Sequence, residues 1–504
     1  MKKMKSTVKF LCALLCLCLV CSIVISCAPE VVEETEFDDV SVGTDESDPT
    51  LDENGYLRDS LDGKYYDGKE VKILSWENNP YLFPVESPQE DPVMSLIYSR
   101  DRYVEERLGV EFSVTRKTSN ASSDKTVAMA LYNVVASGSE EIDVVASYSL
   151  YPPLMAYNGL LYDLNTLDYP ETDKPWYPKN LEQWEVYDRL FYVTGNSAKR
   201  TFDSMHVMYA NTKLLEENGI TDLIPTVLDG KWTLEKLQTY VRNWQSAAAD
   251  NPDPTYGLLW TFRTSMDAFY YGAGFNSTLI DNEGLPQLAY NNATYIQRID
   301  DFISTVRTMM NSPECHILQT SSTELMKAHK TVFYAGGLGN VKDVAGDEDI
   351  SVIPYPKLNE DQTDYITLQD NAYDVWGVPF TAGDPQLGAV MIEAMMSSDY
   401  RMIGPDYFDR NLKYRYSNSD EGVQMFEIIR ASLSTDFGRI NQKTIGSSYT
   451  VEGLIRDCVY PWTNAGADGP VYTGEGFSTK LAASIDSHQK AISSIHKVYR
   501  NYKS

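Results

Sequence analysis

Beyond residue 27 the chain carries only two cysteines, Cys315 and Cys458, and the whole sequence holds five histidines, at 206, 316, 329, 488 and 496. The body has no Cys-x-x-Cys pair, which argues against structural zinc; its two distant cysteines suit buried thiols better than a single disulfide. It has no His-Glu-x-x-His and no close histidine pair for a metal, no Gly-x-Ser-x-Gly elbow and no phosphate-binding Walker loop. Gly337-Leu338-Gly339 begins a dinucleotide-like pattern, but Lys342 stands where the last glycine belongs. No cofactor and no metal are therefore expected. Basic charge is scarce too: 43 Lys and Arg face 72 Asp and Glu, a formal charge of −29. Such a balance argues against nucleic acid and anionic substrates, while neutral and cationic ligands stay open. A glycosidase needs only two carboxylates, so missing motifs do not exclude that chemistry.

What is present begins at the N-terminus. Lys2, Lys3, Lys5 and Lys9 precede an apolar run from Phe10 to Ile25 that is short for a membrane span and reads as a secretory signal. Val24-Ile25-Ser26-Cys27 resembles the lipobox of bacterial lipoproteins. That resemblance implies cleavage before Cys27, a diacylglycerol on its thiol, and a protein lipid-anchored on the extracytoplasmic face of the bacterial membrane. An ordinary signal peptide or an uncleaved anchor is the alternative. Residues 28–63 follow with thirteen acids and one arginine, Arg58. Such a stretch cannot bury enough apolar surface to offset its ordering entropy, so residues 27–66 are expected to be an extended acidic tether.

The body alternates strand and helix patterns. Val71–Ser75, Val110–Thr115 and Ile142–Ser147 read as strands, with helices over Met94–Leu108 and Lys125–Ser137 between them. This β-α-β-α-β order predicts a parallel sheet with right-handed crossovers. Further strands are expected at Val332–Tyr334, Ser351–Pro354 and Val375–Pro379. Further helices are expected at Leu234–Ala248, Ala293–Met310, Gln386–Ser397, Gly422–Leu433 and Ser478–Tyr502. The fold class is α/β.

The order of these pieces resembles the extracellular solute-binding proteins of ABC importers, in the sugar-binding branch that includes maltose-binding protein. The carrying segments are Val71–Asn78 (VKILSWEN), Ile142–Leu150 (IDVVASYSL), Ala156–Leu164 (AYNGLLYDL) and Met205–Leu215 (MHVMYANTKLL). Gly219–Leu237 with Pro225 and Trp232, Val332–Gly337 (VFYAGG), Ile353–Lys357 (IPYPK) and Gly377–Pro379 complete them. The resemblance implies a two-lobed, type II periplasmic-binding-protein-like fold with a hinge and an interlobe ligand cleft. It maps to a first lobe of 67–203 plus 351–377 and a second of 204–350 plus 378–504. It also implies no catalytic residues, ABC permease subunits as partners, and a monomer.

A sugar site needs flat apolar faces for the C–H side of the ring and planar polar groups for its hydroxyls. With 35 tyrosines beside 8 tryptophans and 16 phenylalanines, the chain is rich in such faces. Trp76, Glu77 and Asn78 follow the first strand, and Tyr148 and Tyr151 follow the third, where α/β clefts bind ligands. By resemblance, Asp203 occupies the place of an acid that bonds sugar hydroxyls. Trp260, Phe262, Asp267, Tyr270 and Tyr271 resemble the aromatic patch before a Gly-rich turn. Gly336 and Gly337 match a close-approach loop that here lacks its usual tryptophan, and Asp370, Tyr373 and Trp376 lie near the second crossing. The expected ligand is a mono- or oligosaccharide. A peptide, amino-acid derivative or polyamine on the same fold, and a secreted carbohydrate-active enzyme, are the competing readings.

Overall fold

Nine strands form the two sheets that organise this chain. In the computed structural model the described residues are 48–85, 90–121, 126–242, 244, 253–261, 263–318, 321–344, 349–417, 419–445, 451–459, 465–466, 469–470 and 476–502. The signal, the lipobox with Cys27, most of the acidic tether and Phe262 lie outside them.

The first sheet contains β1 (Lys69–Trp76), β2 (Val110–Lys117), β3 (Val144–Tyr148) and, from late in the chain, β9 (Asp374–Gly377), in the order β9-β3-β1-β2. As expected, β1 is parallel to both β2 and β3, with Val71 beside Phe112 and Ile73 beside Val144. Only β9 runs antiparallel. The helix Pro92–Leu108 between β1 and β2 starts at Asp91, whose carboxylate accepts from the Val93 and Met94 amides. It stops at Gly109, whose φ of 62° closes the helix and turns the chain into β2.

The second sheet joins β4 (His206–Asn211), β5 (Tyr256–Thr261), β6 (Cys315–Leu318), β7 (Thr331–Gly337) and β8 (Ile350–Ile353) in the order β8-β4-β7-β5-β6. Both sheets are buried on two faces, so their central strands read as nearly unbroken apolar runs. Cys315 and Cys458 are both free thiols.

Four expectations need correction. Strand 350–353 pairs with β4, so it belongs to the second sheet rather than to the first lobe's 351–377. The helix Pro385–Ser398, expected in the second lobe, packs on the helix Pro92–Leu108 and on β9 of the first sheet. The tether expected to reach residue 66 ends sooner. Leu61 is buried, and the buried Asp59 carboxylate binds Arg107 and Arg401 and accepts from Ser397 Oγ. Finally, the helix expected over 478–502 is two, Phe477–Ala482 and Ile485–Arg500, broken at Ala483-Ser484. One element was not expected at all: Asp399–Tyr414 is wound as a π-helix with Pro405 inside it.

Residues 56–504 form one unit. Residues 48–55 are a separate short stretch of turns, in which Asp48 accepts from the Thr50 amide and Asp52 from the Asn54 amide. Among the described residues, no helix is long and apolar enough to cross a membrane.

Candidate interlobe site

The carboxyl ends of β1 and β3 hold a ring cluster. Trp76 meets Tyr148 edge-on at 5.4 Å, and Tyr148 lies 6.3 Å from Tyr151. All three rings are buried. The Trp76 indole N–H donates to Asp374 Oδ1 at 2.6 Å, and Asn79 Nδ2 donates to both oxygens of the same carboxylate. Burial still pushes the Asp374 carboxyl above the usual range. The Tyr151 hydroxyl donates to the Asn120 carbonyl at 2.8 Å. These rings pack against one another instead of offering open faces.

Glu77 and Asn78 are exposed. Glu77 accepts from Thr118 Oγ1, and Asn78 Oδ1 accepts from the Ser119 amide at 3.0 Å. Arg200 reaches over from the crossing segment: it donates to the Asn78 carbonyl at 3.1 Å and to Asn79 Oδ1 at 3.2 Å, and its guanidinium lies 5.8 Å from the Trp76 ring.

Asp203 stands apart from the ring cluster. Its carboxylate binds Lys199 Nζ and accepts from the Tyr407 hydroxyl, which the π-helix carries. The Lys199 ammonium lies 4.0 Å from the Tyr81 ring and 5.0 Å from that of Tyr407. The glycines of β7 serve this packing. A Cβ on Gly337 would come 3.3 Å from the Asp203 carbonyl, and one on Gly336 would strike the Tyr334 ring at 2.7 Å.

The second sheet contributes a charge cluster. Buried Asp267 accepts from Arg439 Nη1 at 3.0 Å and from Arg456 Nε and Nη2 at 2.6 Å. Burial opposes its charge, yet the Arg456 and Arg439 guanidiniums hold it below the usual carboxylate range. Arg439 also reaches toward Asp370 at 3.7 Å and Glu452 at 4.0 Å. Tyr271 donates to Glu452 Oε1 at 2.5 Å. Asp436, which caps the short helix bearing Arg439, is pushed up to about 7, chiefly by burial.

The structure thus joins Trp76, Tyr148 and Tyr151 in one group and Asp267, Tyr271 and Asp370 in another. Trp260, Tyr270, Tyr373 and Trp376 are core. Tyr270 stacks on Phe275 at 5.3 Å, and Trp376 meets Phe83 at 5.7 Å. Sequence reasoning missed Asp374, Asn79, Arg200, Arg439 and His206. The one available signal was an arginine set between Phe437 and Ile440 in an acid-rich chain. Asp203, Asp267 and Asp374 are all committed to protein neighbours. A wide concavity of about 660 Å³ opens elsewhere, between Tyr157, Phe380 and Tyr502. Among the described residues, Lys497 is the only charged side chain on its wall.

No family model matches the sequence. No curated protein matches it either. Solved structures do. The galacto-N-biose-/lacto-N-biose I-binding protein of the ABC transporter from Bifidobacterium longum matches with a TM-score of 0.54 and 11% identity, over 87% of this chain and 100% of its own. The sugar-binding protein MalE from Xanthomonas citri gives 0.53 and 12%, over 85% and 98%. This chain has their two-lobed fold. The cyclic alpha-maltosyl-1,6-maltose binding protein from Arthrobacter globiformis gives 0.52 and 13%, over 85% and 99%. The segments between β3 and β4 and between β8 and β9 carry the chain from one sheet to the other.

Proposed function

We propose that this chain is an extracytoplasmic solute-binding protein that captures a carbohydrate between its lobes and delivers it to ABC permease subunits. The observation that carries the reading is the fold, shared over nearly the full length of a galacto-N-biose-/lacto-N-biose I-binding protein of an ABC transporter and of the sugar-binding protein MalE. The segments that join the two sheets support it, because Arg200 and Asp370 within them meet Asn78 and Arg439. Lobe closure around the ligand would present the docking face to the permease. Anchoring through lipid on Cys27 keeps the protein beside that permease and requires no membrane-spanning helix.

A thermal-shift panel of mono- and oligosaccharides, amino acids, short peptides and polyamines on the full chain tests the reading. A ligand at a hundred times its dissociation constant adds roughly 2.7 kcal/mol of stability, a visible rise in Tm. A sugar that stabilises the protein and is recovered intact supports import. A sugar returned cleaved makes this an enzyme, and stabilisation by polyamines or peptides alone moves the ligand class. The anchor is tested separately: Cys27→Ala should abolish lipid labelling and release the protein from membranes.

A further inference from the structure

The concavity of about 660 Å³ between Tyr157, Phe380 and Tyr502 lies away from the ring cluster of the first sheet. β9 runs antiparallel to β3: Asp374 stands beside Tyr148 at the ring-cluster end, and Gly377 stands beside Val145 at the other. Phe380 follows beyond Gly377. The backbone there is braced. Leu161 and Pro379 form an isolated antiparallel bridge, the Phe380 amide donates to the Leu160 carbonyl, and the Tyr162 amide donates to the Val378 carbonyl, the last two at 2.8 Å. Two rings of the wall are also fixed from behind. Phe380, 36% exposed, stacks on Tyr162 at 5.4 Å, so what it gives the concavity is its opposite face and its edge. Tyr502 packs on Phe191 at 4.3 Å and donates its hydroxyl to the Leu161 carbonyl at 2.6 Å. Rings already held in place lose little freedom when a molecule settles on them.

The polar groups of the wall are of a definite kind. Asn158 Nδ2 donates to the Leu154 carbonyl at 2.6 Å, Asn501 Nδ2 to the Lys497 carbonyl at 2.9 Å, and Ser494 Oγ to the Lys490 carbonyl at 2.8 Å. Each spends a donor on a helix carbonyl and keeps its oxygen to accept. Among the described residues, the Lys497 ammonium has no carboxylate partner, and no acidic side chain lines the concavity. In a chain with 72 Asp and Glu and a formal charge of −29, that is a local reversal of sign. The acidity of the rest of the surface is screened beyond about 8 Å at physiological salt, so the local ammonium decides what the wall attracts.

A matching occupant has three parts. The Phe380 and Tyr502 rings suit a flat C–H face, the Asn158, Ser494 and Asn501 oxygens suit hydroxyl donors, and Lys497 suits a carboxylate. An amino acid or a polyamine would bring an ammonium to a wall with no acid to receive it. A neutral sugar would leave Lys497 unused, and a carboxylate without hydroxyls would leave the acceptors unused. We propose that this concavity is a second, outer ligand site that takes a carboxylate-bearing sugar of the uronic acid type. The site is separate from the interlobe one and does not depend on the solute-binding reading.

The test is calorimetric titration of the full chain with glucuronate and galacturonate. Glucose and galactose serve as their neutral counterparts, and benzoate as a carboxylate without hydroxyls. Wild type, Lys497→Gln and Phe380→Leu are compared, with the ligand-free Tm measured for each. Lys497 is exposed, and a leucine at 380 still covers Tyr162 while giving up the flat face, so both variants should keep the wild-type Tm. The expected result is that a uronate binds, that Lys497→Gln raises its Kd at least about tenfold, and that Phe380→Leu raises it at least about threefold. Any binding of glucose or galactose should be the same in all three proteins. No uronate binding by wild type, or a uronate Kd within about twofold of wild type in both variants, overturns the site. Glucose, galactose or benzoate bound as tightly as the uronate, and weakened by the same variants, overturns the ligand class. Neither failure touches a sugar held between the lobes, whose Kd these two variants leave unchanged.

Discussion

The end of the first sheet and the crossing beside it are both buried and both polar, yet they are built in opposite ways. At Trp76 the indole, the Asn79 amide and the Asp374 carboxylate satisfy one another. At Gln369, between β8 and β9, neither end of the side-chain amide has a protein partner among the described residues. A closed set of bonds makes a rigid wall, whereas an open set makes a receptor that is costly until filled. The contrast separates polar groups that satisfy one another from polar groups that the protein itself leaves unpaired.

The sharpest way to break this contrast is Asp267→Ala. It leaves Arg439 without its nearest carboxylate and Arg456 without its close partner, and a buried pair broken on one side costs about 3–5 kcal/mol. Urea unfolding should show a loss of that size; a loss under about 1 kcal/mol would mean that the charge cluster is solvated. Next is pH. Asp436 carries a folded-state pKa raised to about 7, so the folded state holds a proton that the unfolded state releases near pH 4. Its contribution is present below about pH 4 and is lost as pH rises toward 7, by up to about 4 kcal/mol. Unfolding free energies measured from pH 5 to 8 should therefore fall more steeply in wild type than in Asp436→Asn.

On the closed side, Trp76→Phe keeps a ring but removes the donor to Asp374, which retains Asn79. A stability loss of about 1–2 kcal/mol is expected from thermal unfolding. No loss would show that the wall depends on ring packing alone. The smallest effect is expected at Lys443, a partly exposed lysine whose ammonium donates to the Ala121 carbonyl at 3.0 Å. Lys443→Ala should change the unfolding free energy by less than about 0.5 kcal/mol. A larger change would mean that this contact helps hold the two halves together.

The fold was legible because its signals are local and repeated. β1 and β3 announce themselves as apolar runs and β2 by its alternation, and Asp91 and Gly109 bracket the helix between the first two. Asp59 was not legible: one acid among thirteen in a solvated-looking stretch carries no mark that Arg107 and Arg401 will meet it. Nor was the π-helix, since a proline inside Asp399–Tyr414 reads as a helix breaker. The candidate site was legible only in outline. Residues after β1 and β3 do gather at one place, because parallel strands send their carboxyl ends the same way. Which aromatics face outward was not readable, and Trp76, Tyr148, Tyr270 and Trp376 all turn inward.

The sequence by itself determined the alternation of strand and helix, the acidic surface and the poverty of nucleophile and metal motifs. Those follow from composition and short-range periodicity, which need no partner to be read. Only the tertiary structure decided that Ile350–Ile353 joins the second sheet, that Arg439 stands between Asp267 and Asp370, and that Gln369 lies beside Met205 with its amide unanswered. Each of these is a meeting of residues dozens to hundreds of positions apart. Hydrogen bonds and ion pairs depend on distances of a few ångströms, and no local pattern in the chain encodes them.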